Sequence, residues 1–239
     1  VNRRFPEVSP VKQYAHIYKL FLSQGKQLID RYVEISGHHI FNFSFKGATA
    51  FDKIMNDPGQ GVILLTSHLG NWQIAMNALD NIPKKINLLM RPEETPAVRE
   101  SLRLQDATDK INIVSPDSYM GGVVALMNAL RDGELVSIMG DRSYGADTVP
   151  VNFLGETAAF PYSAFHMAAV AGVPIIILLC HKTADYDYLV DLSQIMRPTY
   201  RSRKNKLEQI QPWVQKYASL LESQLADYPY ECFLFYDVW

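Results

Sequence analysis

The chain has 239 residues, 48% of them apolar, which is enough to bury the core of one large α/β domain or two small ones. A formal charge of −2 argues against a dedicated nucleic-acid binder, and the two cysteines, Cys180 and Cys232, lie far apart and are expected to stay reduced inside a cell. No apolar run reaches the roughly 18–20 residues that span a bilayer, no CxxC or His/Cys cluster points to a metal, and no signal peptide is visible. The sequence opens on Val1 rather than Met, which leaves an upstream anchor open.

From Pro10 to Ser36 apolar residues fall at Val11, Tyr14, Ala15, Tyr18, Phe21, Leu22, Leu28, Ile29, Tyr32 and Val33, which is helical spacing. Lys12, Lys19 and Lys26 follow one flank every seven residues. Such a helix packs its stripe on the core, or lies at an interface with its basic flank against anionic lipid. The two are compatible, because Ile17 and Leu20 broaden the apolar surface.

Strand and helix patterns then alternate. Strands are expected at 61–66, 86–90, 110–114, 135–139, 174–180 and 186–192, with helices at 47–56, 72–80, 96–107, 120–131 and 161–171. Gly133 stands where a helix should stop before the strand at 135–139. A last helix is expected over 206–226, with Pro212 as a kink or interruption, before an aromatic tail from Tyr228 to Trp239. The pattern predicts one α/β domain over residues 1–239, a helical segment at 1–39 followed by a core at 40–239. Its central sheet is expected to be mixed or largely parallel and flanked by helices. A basic cluster, Arg197, Arg201, Arg203, Lys204 and Lys206, precedes the last helix; it is a solvated surface or a docking surface for an acidic partner.

The most informative stretch is Thr66-Ser67-His68-Leu69-Gly70-Asn71-Trp72-Gln73. It joins the apolar strand Val62-Ile63-Leu64-Leu65 to a helical pattern, so His68 sits where a strand ends and a helix begins. Rigid strand ends facing helix starts are where α/β folds place chemistry. Ser67 has no GxSxG elbow around it, which argues against a serine hydrolase. His38, His39, His166 and His181 have no motif around them and read as packing or surface residues.

His-Leu-Gly-Asn-Trp after an apolar strand resembles the first motif of the lysophospholipid acyltransferase superfamily, a His, four residues, then Asp or Glu. The wording is similar to the lipid A biosynthesis (lauroyl/myristoyl) branch. Leu89-Met90-Arg91-Pro92, Leu130-Arg131-Asp132-Gly133 with Ile138-Met139-Gly140-Asp141, Val149-Pro150-Val151-Asn152-Phe153-Leu154-Gly155 with Phe160-Pro161, and Ala171-Gly172-Val173-Pro174 follow in the family's order. The resemblance covers roughly residues 40–239 and extends to the aromatic end Phe235-Tyr236-Asp237-Val238-Trp239. It departs at one position, where Gln73 replaces the family acid.

The resemblance implies acyl transfer from a fatty acyl thioester, carried by acyl carrier protein or coenzyme A, to a lipid-linked hydroxyl. No bound cofactor or metal is needed. The setting it implies is the cytoplasmic face of a bacterial inner membrane, with peripheral contact through the N-terminal helix and acyl carrier protein on the basic cluster at 197–206. His68 is expected to be the general base and Gln73 to hold its imidazole through the amide oxygen. Asp141 would support His68, bind the acceptor, or form a structural network with Arg142. Arg91 would meet a phosphate or make a plain salt bridge. Gly70 and Asn71 would offer backbone N–H groups to an oxyanion. Phe153, Gly155 and Phe160 would shape a lipid-facing pocket, or be a turn and core aromatics. His68 and Gln73 are expected together at the mouth of the largest pocket. Two other readings stay open: a thioester or lipid hydrolase using the same histidine with water, and an acyl- or lipid-binding protein made weak in catalysis by Gln73.

Overall fold

A computed structural model describes residues 3–78, 82–91, 110–143, 147–202 and 204–239. The elements in order are α1 (Pro10–Ile35), β1 (Asn42–Lys46), α2 (Ala48–Met55), β2 (Val62–Thr66), α3 (Trp72–Ala78), β3 (Ile86–Leu89), β4 (Ile111–Val114), α4 (Val123–Arg131), β5 (Leu135–Met139), β6 (Thr148–Phe153), β7 (Glu156–Pro161), α5 (Ser163–Ala171), β8 (Ile175–Lys182), β9 (Asp187–Met196) and α6 (Lys206–Asp227). A single turn of 3-10 helix, Tyr119–Gly122, leads into α4. The helix expected at 96–107 lies outside the described residues.

Seven strands form one sheet in the order β1-β9-β8-β2-β5-β3-β4. β8, β2, β5, β3 and β4 are all parallel, β9 runs antiparallel to β8, and β1 is parallel to β9. The central strand β2 is buried at every residue, as a strand covered on both faces must be. One core cluster holds α4, α5 and α6 against the sheet through Leu126, Leu130, Phe165, Ile210, Val214, Tyr217 and Leu221. The other lies on the opposite face with Phe51, Ile54, Met55, Ile74 and Ala75 of α2 and α3.

Two strand regions are absent from the expected set. β1 carries the alternation Phe43, Phe45 and pairs in register with β9 at the sheet edge. β6 and β7 form a separate antiparallel hairpin whose turn is Leu154-Gly155, both at positive φ (53° and 81°). Two consecutive left-handed residues make the tight turn whose twist matches that of its strands. Pro212 does not interrupt α6, which runs unbroken to Asp227.

The N-terminal helix corrects the simplest packing expectation. Its three buried residues are Gln27, Asp30 and Glu34, while Val11, Tyr14, Tyr18, Phe21, Leu22, Ile29 and Tyr32 are exposed. The apolar stripe therefore faces outward and the polar face packs inward. Asp30 makes an ion pair with Lys182 and accepts a 2.5 Å hydrogen bond from the Tyr188 hydroxyl. Burial, with Asp30 beside it, drives Tyr188 far above the usual phenol range and keeps it a donor. Asn71 Nδ2 donates to the Gln27 carbonyl at 3.1 Å, which fixes α1 above the start of α3.

Candidate active site

Strand register builds the site. Thr66 at the end of β2 pairs with Met139 at the end of β5. His68 and Asp141 each lie two residues beyond those paired ends, on neighbouring strands about 4.8 Å apart. They leave the sheet side by side. Asp141 Oδ1 stands 3.0 Å from His68 Nδ1, and Asp141 Oδ2 accepts the His68 backbone N–H at 2.6 Å. A carboxylate at Nδ1 selects the tautomer with the proton there, leaving Nε2 as the basic nitrogen. Asp141 is nearly enclosed, with its side chain 4% exposed, while the His68 side chain is 20% exposed. Beneath them the Tyr217 hydroxyl donates to the Thr66 carbonyl at 2.9 Å. Burial first, then the Asp141 charge, pushes that phenol well above its usual range, so it stays neutral.

Gly70 has a structural reason to be glycine. Its φ is +71°, and an added Cβ would come within 1.9 Å of the Cys180 carbonyl oxygen. The C-terminal tail seals this segment: Gly70 N–H donates to Glu231 O (2.8 Å) and Phe233 N–H to His68 O (2.7 Å). Asn71 N–H donates to Cys180 O at 2.8 Å. The backbone donors of Gly70 and Asn71 are thus engaged within the protein, which corrects their expected role toward an oxyanion. The Asn71 side chain caps α3 instead, accepting from Ile74 N–H at 3.4 Å.

Gln73 also departs from expectation. Its amide oxygen accepts a hydrogen bond from Arg31 of α1 rather than from the imidazole. Among described residues His68, Gln73, Gly70, Asn71, Trp72 and Phe233 line one cavity of about 180 Å³, roofed by Gln24, Gln27, Leu28 and Arg31 of α1. It is not the largest. An apolar cavity of about 550 Å³ lies between the start of α1, the β6–β7 hairpin and the tail, lined by residues including Ile17, Leu20, Phe21, Phe153, Leu234 and Trp239. Gln27 is 4% exposed and neither atom of its side-chain amide has a partner among the described residues.

The remaining candidates divide. β3 and β5 are parallel neighbours, so Arg91 leaves β3 at the same sheet edge as Asp141 and Arg142. The Arg142 guanidinium lies 5.0 Å over the Tyr236 ring. Phe153 lines the apolar cavity and stacks on Trp239 at 5.9 Å. Phe160 is fully buried against Phe153 and Tyr217, Gly155 is in the hairpin turn, and neither lines the two cavities described above. Of the other histidines, His181 is buried, 2.8 Å from Glu231 and stacked on Tyr228, and His39 bonds Glu34 at 2.7 Å. Cys180 and Cys232 are free thiols. Sequence reasoning passed over Gln27 and Arg31. Their only signal was polar residues on the flank opposite an apolar stripe. Among the described residues no three His, Cys, Asp or Glu side chains gather where they could hold a metal ion.

The model of the family described as bacterial lipid A biosynthesis acyltransferase matches residues 24–239. A comparison with curated proteins finds no match. Among solved structures the chain is similar to PlsC, the 1-acyl-sn-glycerophosphate (LPA) acyltransferase from Thermotoga maritima, at 12% identity and a TM-score of 0.45, covering 90% of this chain and 85% of that one. Family membership rests on the family match and not on that likeness.

Proposed function

The chain belongs to the bacterial lipid A biosynthesis acyltransferase family, and from that premise we propose that it moves a fatty acyl group from a thioester to a lipid-linked hydroxyl, with His68 as general base. One observation carries this reading. The motif histidine is held through Nδ1 by the buried Asp141 and lines a cavity that a substrate can enter. In the proposed step Nε2 takes the proton of the acceptor hydroxyl as its oxygen attacks the thioester carbon. The thiolate then leaves and recovers that proton. Asp141 stabilises the imidazolium that forms between the two transfers. A positioned base of this kind contributes about 10²–10⁴-fold.

The donor is proposed to be an acyl carrier protein or coenzyme A thioester. The basic cluster is poorly placed to dock it. Met196, at the end of β9, pairs with Ile175, at the start of β8, so Arg197, the next residue, leaves the sheet at the edge away from His68. The length of β2 alone, about 16 Å for its five residues, separates the two edges. Lys26 of α1, beside Glu231 whose carbonyl accepts from Gly70, stands on the His68 side and is the better candidate. Among the described residues no helix is long and apolar enough to cross a membrane. Membrane contact is assigned instead to the outward apolar stripe of α1 with Lys12, Lys19 and Lys26, at the cytoplasmic face of the inner membrane. Binding to anionic vesicles should fall with salt, because the attraction is screened over about 10 Å at 0.1 M. Equal pelleting with neutral and anionic vesicles would remove this part.

The chemical test is transfer from an acyl thioester to a lipid alcohol, with products resolved in the presence and absence of the alcohol. Acyl transfer lost in His68→Ala and in Asp141→Asn supports the reading. Free fatty acid formed at the same rate with or without the alcohol would make the protein a hydrolase. A retained acyl ligand without turnover would make it a binding protein.

A further inference from the structure

The amide of Gln73 stands where the family has an acid, and what it does there rests on the acyl-transfer reading above. A guanidinium has only donors, so the Gln73 oxygen is the atom that faces Arg31. The amide nitrogen is therefore turned away from Arg31, and it has no partner among the described residues. Gln73, Arg31 and His68 line the same cavity. Glutamate at this position would also accept from Arg31, but it would have no hydrogen to offer the cavity. His68 does not need an acid here, since Asp141 occupies its Nδ1. The nearby backbone donors, the N–H groups of Gly70 and Asn71, are already bonded to Glu231 and Cys180.

We infer that Gln73 is a catalytic oxyanion donor: anchored by Arg31 through its oxygen, it presents its Nε2 hydrogens to the thioester carbonyl oxygen. When the acceptor oxygen bonds to the carbonyl carbon, the C=O π pair moves onto the carbonyl oxygen, and the proton of the attacking hydroxyl goes to His68 Nε2. The Gln73 amide bonds the resulting oxyanion. Collapse restores the C=O, breaks the C–S bond, and returns the proton from His68 to the departing sulfur. Such a donor stabilises charge that exists only after attack, so it lowers the barrier without tightening ground-state binding. Arg31 is a positioning residue that fixes which end of the amide points into the cavity. On this account Gln73 is a working alternative to the family acid and not a damaged copy of it.

The experiment compares single-turnover acyl transfer from a thioester donor and from the matching dithioester, in which sulfur replaces the carbonyl oxygen and accepts hydrogen bonds poorly. Wild type, Gln73→Leu, Gln73→Glu, Arg31→Met and His68→Ala are measured with one acceptor alcohol. Gln73→Leu is expected to slow the thioester reaction by about 10²-fold, the usual effect of deleting one oxyanion donor. It should slow the dithioester reaction far less, so the ratio between donors collapses. Arg31→Met, on a different helix, should reduce the same ratio without touching position 73, which keeps the test alive if a substitution at 73 disturbs folding. Gln73→Glu should be slower than wild type. A ratio unchanged in both Gln73→Leu and Arg31→Met, or a Gln73→Glu enzyme as fast as wild type or faster, overturns the role of Gln73 while His68-dependent transfer survives. Wild-type transfer no better than His68→Ala overturns the acyl-transfer reading itself, and this inference with it.

Discussion

The two long helices solve opposite problems. α6 buries Ile210, Val214, Tyr217, Ala218, Leu221 and Leu225 and turns its polar residues outward, the ordinary arrangement for a surface helix. α1, of similar length, buries Gln27, Asp30 and Glu34 and exposes its tyrosines and aliphatics, with Tyr14 73% and Val11 79% exposed. Apolar burial holds α6, because each buried Leu or Ile side chain contributes roughly 1.5–3 kcal/mol. Directional polar contacts hold α1: Asp30 with Lys182 and Tyr188, Arg31 with Gln73, and Gln27 O with Asn71. The polar face that anchors α1 is also the roof of the His68 cavity. Much of its apolar face, Val11, Tyr14, Tyr18, Ile29 and Tyr32, is left exposed, and we propose lipid as what meets it.

The contrast breaks most sharply at Asp30. Asp30→Ala strands the Lys182 ammonium and the Tyr188 hydroxyl, each largely buried. Removing one member of a buried pair costs about 3–5 kcal/mol, and the slight wetness of this pair places the expected loss near the lower figure. Urea unfolding of the variant measures it. A loss under about 1 kcal/mol would mean that α1 is held by something other than its polar face. On α6, Leu221→Ala should cost about 2–4 kcal/mol through lost transfer energy and a residual cavity. The matched change on α1, Leu22→Ala, is at a residue 46% exposed and should stay within about 0.5 kcal/mol. Equal losses at Leu22 and Leu221 would erase the difference between the helices.

How far the sequence reveals this follows from what each feature depends on. The β2–His68 junction is legible because everything that makes it is local: a short apolar run, then a histidine, then helical spacing. The sheet is legible for the same reason, apart from β1 and the β6–β7 hairpin. Their alternations are only five or six residues long and carry polar or proline residues that dilute the pattern. Which group orients His68 is not local. It depends on the register of β2 against β5, which brings together residues 73 positions apart. Asp141 could be named from sequence as a candidate, but Gln73 looked equally able. Arg31, 42 residues before Gln73, carried only the signal of a polar residue opposite the apolar stripe, and nothing in that stripe says which face turns inward.

The outward stripe yields a prediction in which stability and function separate. Tyr14→Ser, Tyr18→Ser and Ile29→Ser each remove an exposed apolar side chain and should leave unfolding within about 0.5 kcal/mol of wild type. Combined, they should sharply reduce co-sedimentation with anionic vesicles. A triple variant that binds vesicles as well as wild type would show that the stripe faces something other than lipid.

The smallest effect lies at the start of α6. His166 on α5 stacks on Tyr200 with ring centroids 5.7 Å apart, and its Nδ1 is buried without a partner among the described residues. Burial, and next the Lys206 ammonium at the head of α6, lowers its pKa below the ordinary imidazole value. The neutral form is therefore favoured in the folded protein, while the unfolded chain takes up its proton near pH 6.5. Above that pH the site costs nothing. As pH falls below it, the unfolded state binds more protons than the folded one, and stability declines until the lowered folded pKa is passed. His166→Phe keeps the stack and removes the titration. Measured by urea unfolding from pH 8 to pH 5, wild type should lose stability relative to His166→Phe only below about pH 6.5. Lys206→Met should shrink that difference without abolishing it, because burial is the larger cause. Parallel curves for wild type and His166→Phe across the range would show that His166 titrates alike in both states. α6 would then be held by its apolar residues alone, with no electrostatic strain at its first turn.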